Sequence, residues 1–321
     1  MVAGEKAGAR AVHVLGGLRV AEKVVLAFLA YTVVASLLFP LSFRQRALIL
    51  ALNLAATAVI VLVSRIHDTR RWVSTSRDWF PAVLILVAYR ESGLFFKPDP
   101  THHLDYLFIQ WDRMLLQNRW VESLLSFSAP WLQYYLELSY LLCYPLVPLG
   151  LAALYLARPS VAAVHASPVL GGTSSIGVSE EFFPRTRSGS SPIDRFWTVV
   201  LLATLFCYAI YPLFPLVPPR VLFHDVPGPA VEPLLRKWNF WILNQYSVQA
   251  CIFPSGHVAA VTAVALAVRA YMPRVGVLFI IAAVSIAVAT VYGRYHYAAD
   301  AVAGALVGFA AFWVSTRIRK W

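Results

Sequence analysis

The stretch 291-VYGRYHYAADAVAGALVG-308 decides how this chain is read. From Ala298 onward it is apolar and built of small residues, the composition of a helix packed closely against others inside a bilayer. His296 and Asp300 open the run four residues apart, and Gly304 and Gly308 extend the same i,i+4 stripe along one helix face. Ionisable side chains at the edge of a membrane span are costly, so a function is expected of these two.

The rest of the chain agrees with a membrane setting. Of 321 residues, 59% are hydrophobic and only 13% charged, and the mean hydropathy is +0.65. A soluble domain carries about twice that share of charge. Apolar blocks fall at about 24–41, 47–63, 79–96, 131–157, 196–217, 255–272, 275–292 and 298–316. Most approach the roughly 20 residues that cross a bilayer as a helix. The expected fold is therefore an all-α polytopic membrane helix bundle of about eight spans. The first block starts too late and runs too long for a cleaved signal peptide. Arg90 and Glu91 interrupt the third and are read as its mid-span charges. As sequence neighbours they cannot pair across a helical turn, so they face the bundle interior or the span is shorter than drawn.

The net charge of +11 is not gathered on one soluble module, which argues against a nucleic-acid partner. Lys and Arg flank the blocks instead, and are roughly twice as frequent on the side shared with the N-terminus. The positive-inside rule then places both termini in the cytoplasm. Residues 158–195, rich in Ser, Gly and Pro, are expected to form a disordered cytoplasmic linker between N-terminal membrane helices (1–157) and catalytic membrane helices (196–321) of one integral membrane domain. The opposite loops, 97–130 and 218–250, mix aromatics, leucines and charges and read as helices lying in the interface. Their Trp111, Trp120, Trp238 and Trp241 are expected to roof a site. His102 and His103 read as interfacial surface. Arginine outnumbers lysine and Ala and Val abound, the pattern of a GC-rich bacterial genome, so the expected location is a bacterial plasma membrane. Cys143, Cys207 and Cys251 lie apart, without metal or disulfide spacing, and read as small apolar fillers.

A second stretch, 253-FPSGHVAAVTAVALAV-268, carries the complementary chemistry. Ser255 is a plausible N-cap, leaving free N–H groups near Ser255, Gly256 and His257. Free N–H groups and the helix dipole suit an anion such as phosphate, and Gly256 lets it approach the backbone. With eight spans His257 and His296 lie at the same membrane face. Ala259, Ala263 and Ala267 form a small-residue stripe that can dock against Gly304 and Gly308. Asp300 then orients His296 as a nucleophile, and His257 across the site serves as general acid. Arg294 and Arg220 are candidates to neutralise phosphate oxygens. The alternatives are buried structural histidines, a zinc site from His257, His296 and Asp300, an Arg294 that only anchors to head groups, and a transporter, which would show charges at mid-span and inverted repeats.

The ordered pair "PSGH" and "RYHYAAD" resembles the type 2 phosphatidic acid phosphatase superfamily of membrane lipid phosphatases and phosphotransferases. The resemblance covers the fifth to eighth blocks. It implies a six-helix catalytic core, His296 as nucleophile, Asp300 as its partner and His257 as acid, with neither metal nor cofactor. The chain has no K-x6-R-P motif ahead of PSGH, and Thr290 stands where an arginine is expected. "FPLVPPR" and "LDYLFIQWDRMLL" look more like the inositol phosphorylceramide synthase branch, which transfers a phospho-head-group between lipids. Transfer is therefore expected ahead of hydrolysis of phosphatidic acid-type or polyprenyl phosphates. The expected partners are membrane lipid substrates, with no obligate protein partner.

Overall fold

The computed structural model describes residues 17–65, 71–97, 99, 101–117, 129–157, 191–225, 234–248, 250–251 and 253–318. Twelve α-helices follow in chain order: α1 (Val20–Leu38), α2 (Phe43–Arg65), α3 (Arg71–Gly93), α4 (His103–Leu116), α5 (Pro130–Leu141), α6 (Leu146–Leu156), α7 (Pro192–Ile210), α8 (Pro219–Leu222), α9 (Leu234–Tyr246), α10 (Gly256–Tyr271), α11 (Pro273–Tyr292) and α12 (Ala298–Arg317). No strand occurs among the described residues; a single antiparallel bridge joins Leu216 to Cys251. The chain is an all-α polytopic membrane bundle.

Every apolar block is helical, with differences in detail. Among the described residues, five helices are long and apolar enough to cross a membrane: α1, α2, α7 with the 3-10 turn that follows it, α11 and α12. A sixth span is made if α5 and α6 count as one. These two were expected as one continuous helix and instead meet at 71°. Pro145 explains the break, since it lacks the N–H a continuous helix needs and disfavours helical backbone in the residue before it. Helix α3 carries too much charge to qualify, and α10 has only 16 residues. The expected linker lies mostly in 158–190, outside the described residues. Its last residues are not linker: Ser191 caps α7, its hydroxyl accepting from the Asp194 N–H at 3.1 Å, and Pro192 fills the first turn.

Helix α10 is the centre, packed against α6, α7, α11 and α12. Its Ala and Val side chains are buried on nearly every side. In a bilayer, lipid is as apolar as the helix, so close packing has to hold such an element in place. Gly304 and Gly308 provide that closeness. A Cβ at Gly304 would stand 2.5 Å from the Ser255 carbonyl oxygen, and one at Gly308 2.7 Å from Thr262 Cβ. Any side chain there would push α12 off α10. At one end of the bundle, polar groups tie the helix starts together: Asp194 accepts from the Ala21 N–H at 3.0 Å, and Arg77 pairs with Glu22 at 2.6 Å. Helix α7 runs from that layer to the other end, where the two histidines meet.

Candidate active site

Two short loops and two helix starts build the site. Residues 293–297 link α11 to α12, with Tyr297 the extended N-cap of α12. His296 therefore precedes the helix, and the pair is loop to first turn rather than two positions on one helix as expected. The consequence is the same: His296 Nδ1 hydrogen-bonds Asp300 Oδ2. His296 Nε2 lies 3.4 Å from His257 Nδ1 on the first turn of α10. The helices thus bring together the three residues the sequence singles out. His296 is 7% exposed and Asp300 fully buried.

Ser255 locks the two helix starts. Its N–H donates to the Asp300 carbonyl at 3.2 Å, and its hydroxyl accepts from the Val258 N–H at 3.4 Å. Ser255 is fully buried and holds the corner between the two helix starts. Arg220 is tied to the other loop, its N–H donating to the Arg294 carbonyl at 2.9 Å. Its Nη2 is buried with no hydrogen-bond partner among the described residues, and its charge acts on His257. A buried guanidinium N–H without an acceptor is expensive, and an anion at the histidines would satisfy it. Arg294 contributes its backbone to this junction, at φ 61°, a left-handed conformation that a non-glycine residue holds at a cost.

Several site residues were missed by the sequence reading. Tyr295, His296 and Tyr297 are consecutive, and each meets a carboxylate from a different helix. Tyr295 donates to Glu137 of α5 at 2.7 Å, His296 bonds Asp300 of α12, and Tyr297 donates to Asp105 of α4 at 3.3 Å. Burial pushes both tyrosine hydroxyls up, with the charge of Glu137 adding at Tyr295 and that of Asp105 at Tyr297. Glu137 also accepts from Arg236 at 2.6 Å and Asn239 at 2.8 Å. Asp105 further accepts from the Val217 N–H at 2.8 Å. Asp112, two turns further along α4, accepts from the Ala299 N–H at 3.1 Å and so caps α12 from outside. Burial raises the Asp112 carboxyl. A signal existed for each. Glu137 is a carboxylate inside an apolar block, where Arg90 and Glu91 were taken as the mid-span charges. Asp105 and Asp112 share one face of an amphipathic segment.

Cys251 corrects the reading of the cysteines. Cys143 and Cys207 are buried in the apolar core, but Cys251 Sγ lies 3.2 Å from Asp300 Oδ2 and 3.4 Å from His296 Nδ1. Burial pushes its thiol up, reinforced by the Asp300 charge, so it sits there as a neutral donor. Cys251, His296 and Asp300 each offer a ligand atom within 4.8 Å of the others, a donor set that could hold a thiophilic metal ion. This trio differs from the His257, His296 and Asp300 set considered from sequence.

The described parts of 97–130 and 218–250 hold helices α4, α8 and α9, together with the first residue of α5, and their tryptophans are partly exposed. Trp111, Trp238 and Trp241 are 39, 52 and 57% exposed; Trp120 is outside the described residues. His102 bonds Asp105 at 2.9 Å and begins α4. Above His257, Tyr140 and Tyr144 pack with ring centroids at 6.2 and 5.9 Å, and Tyr140 stacks on Tyr295 at 3.7 Å.

Residues 187–314 match the PAP2 superfamily model. The matched stretch is somewhat under half of the chain and contains both histidines, Asp300, Arg220 and Cys251. It supports the type 2 phosphatidic acid phosphatase superfamily, and with it a phosphatase- or phosphotransferase-type lipid enzyme held in a membrane. No curated protein and no solved structure gave a match. The match leaves out α3, α4 and α5, so Asp105, Asp112 and Glu137 reach the His296 loop from beyond it.

Proposed function

We propose that this protein is a lipid phosphotransferase that moves a phospho-head-group between membrane lipids, as an inositol phosphorylceramide synthase does, through a phosphohistidine at His296. The observation that carries the reading is the line from Asp300 through His296 to His257, beside the Arg220 Nη2 that has no hydrogen-bond partner among the described residues. Asp300 accepts the Nδ1 proton and fixes the tautomer that leaves a lone pair on Nε2. Nε2 attacks the phosphorus of a lipid phosphodiester, the P–N bond forms, and the P–O bond to the first alcohol breaks. His257, which must enter the step protonated beside the bound phosphodiester anion, gives that alkoxide its proton. Arg220 and the Gly256 and His257 N–H groups take up charge on the equatorial oxygens. His257 next removes the proton of an acceptor hydroxyl, whose oxygen displaces His296 from phosphorus. The two imidazole nitrogens lie 3.4 Å apart, so the transferring phosphorus must part them.

Hydrolysis differs only in that water is the second nucleophile. The missing K-x6-R-P motif and Thr290 at the expected arginine position leave fewer cations than a monoester dianion calls for, which supports a diester donor. The excess of Lys and Arg on the N-terminal side supports a site facing away from the cytoplasm of a bacterial plasma membrane; labelling of a tag near Pro229 only in broken cells would reverse it.

The test is product analysis with the purified protein. A phosphodiester lipid is supplied with and without a polyol or sphingoid acceptor, against a phosphatidic acid control. Acceptor-dependent diacylglycerol release is expected, abolished in His296→Ala and reduced on the order of 10³ to 10⁴ in Asp300→Asn. Prompt inorganic phosphate from phosphatidic acid with no acceptor dependence would replace transfer by hydrolysis.

A further inference from the structure

His257 opens into a cavity of about 510 Å³ enclosed by α3, α6, α7, α9 and α10, a volume typical of small-molecule sites. The walls are mostly apolar: Ile85 and Leu86 of α3, Val147 of α6 and Ile242 of α9 are representative. Among the described residues, the lining holds one ionisable cation besides His257, namely Arg90, and no carboxylate. Arg90 is exposed at the cavity edge and makes no ion pair or hydrogen bond with any described residue. Its neighbour Glu91 is turned the other way, fully buried, accepting from Asn53 at 2.9 Å. The two charges that interrupt the third apolar block therefore have separate settings, one inside the bundle and one at the cavity.

The position of Arg90 is set by close contacts. The Tyr89 hydroxyl accepts from the Val248 N–H at 3.0 Å and lies 3.3 Å from Ser247 Oγ. At Gly93 a Cβ would stand 2.4 Å from Val248 Cγ1. The C-terminal end of α3 is thereby bound to the segment that leads from α9 into α10. A cation is held at the edge of an apolar chamber whose inner wall is His257.

We propose that this cavity binds one hydrocarbon chain of an anionic phospholipid, and that Arg90 selects the lipid by pairing with its negatively charged head group. The proposal rests on the lipid-transfer reading above and adds the substrate class and the residue that chooses it. Charge complementarity is the reason for the commitment. An anionic head group gives Arg90 its missing partner in a medium where a charge pair is weakly screened. A zwitterionic head group would bring an ammonium beside Arg90, where no carboxylate among the described residues lines the cavity to receive it. Arg90 lies outside the matched stretch 187–314, so the selectivity would belong to the N-terminal helices of this chain.

The experiment is native mass spectrometry of the full-length protein in detergent, titrated with dioleoyl phosphatidylglycerol or dioleoyl phosphatidylcholine, which share their chains and differ in head-group charge. The wild type is expected to retain the anionic lipid at least about tenfold better. Arg90→Gln should bring the two lipids to near-equal retention, while Arg274→Gln, another exposed arginine, should keep the preference. Leu86→Trp, which fills the cavity from an exposed wall position, should weaken both lipids. An unchanged preference in Arg90→Gln, or equal retention by the wild type, would overturn the proposal. Because binding is read without turnover, a protein that retains the anionic lipid selectively yet transfers nothing would sink the reaction and leave the lipid site standing.

Discussion

The Tyr295 hydroxyl donates to Glu137 Oε2 at 2.7 Å, joining the residue before His296 to the middle of α5. Glu137 keeps Arg236 and Asn239 when that hydroxyl is removed. Tyr295→Phe should therefore fold, losing about 1.5–3 kcal/mol for one hydrogen bond to a charged group. Its turnover should drop about tenfold to a hundredfold through misplacement of His296, with KM little changed. Glu137→Gln leaves Arg236, 7% exposed, without its counter-charge, a loss of about 3–5 kcal/mol. Steady-state kinetics and thermal unfolding of the two variants separate positioning from stability. A rise in KM alone for Tyr295→Phe would assign the tyrosine to binding.

Asp112 caps α12 from α4 through the Ala299 N–H. Asp112→Ala should cost about 1 kcal/mol, the usual value of a lost helix cap, and should slow turnover because His296 and Asp300 flank the capped turn. Asp112→Asn keeps an acceptor oxygen and should restore most of both. If Asn rescues stability without rescuing rate, the carboxylate charge has a role beyond the cap.

Alkali offers a test of the tyrosine clamps. Burial, then the nearby carboxylates, raise the hydroxyls of Tyr295 and Tyr297 above their ordinary value, which is about 10 in an unfolded chain. An acid whose folded pKa is raised lends stability that is complete below the unfolded value and lost as pH rises through the folded one. The unfolding temperature in detergent should hold up to about pH 9 and decline beyond pH 10. The Tyr295→Phe, Tyr297→Phe double variant should start lower and decline less steeply over the same window. Parallel curves would show that other groups govern alkaline unfolding.

Metal dependence turns on Cys251, His296 and Asp300. Under the proposed reaction the orienting bond between His296 and Asp300 must stay metal-free, so turnover should survive EDTA. Cadmium, which favours thiolate, should inhibit by occupying the trio, and Cys251→Ala should be markedly less sensitive. Loss of activity on chelation, restored by zinc, would make the trio a working metal site and displace the proposed mechanism.

Much of this was legible in the sequence. Block length and hydropathy report the membrane setting because hydrocarbon thickness sets helix length. The pairing of His296 with Asp300 was legible because four residues is a local distance, even though the helix begins at Ala298 rather than ahead of His296. The Ser255 cap and the glycine contacts of α12 could be foreseen because capping and close approach each require particular residue types. The number of qualifying spans was less legible, since α10 needs only 16 residues at the centre of the bundle and Pro145 bends the fourth block.

Identities and local spacing determined that this is an all-α membrane protein, with a histidine at the start of α10 and a histidine–aspartate pair at the start of α12. Only the tertiary structure decided which distant residues complete the site. Glu137, Asp105 and Asp112 reach the His296 loop from helices more than a hundred residues away in sequence, and Cys251 leaves the ranks of core cysteines to touch Asp300. Arg90 and Glu91, adjacent in the chain, part to opposite settings. The reason is physical: a hydrogen bond between groups far apart in sequence depends on how helices cross and how deeply they are buried, and neither is encoded in any local repeat.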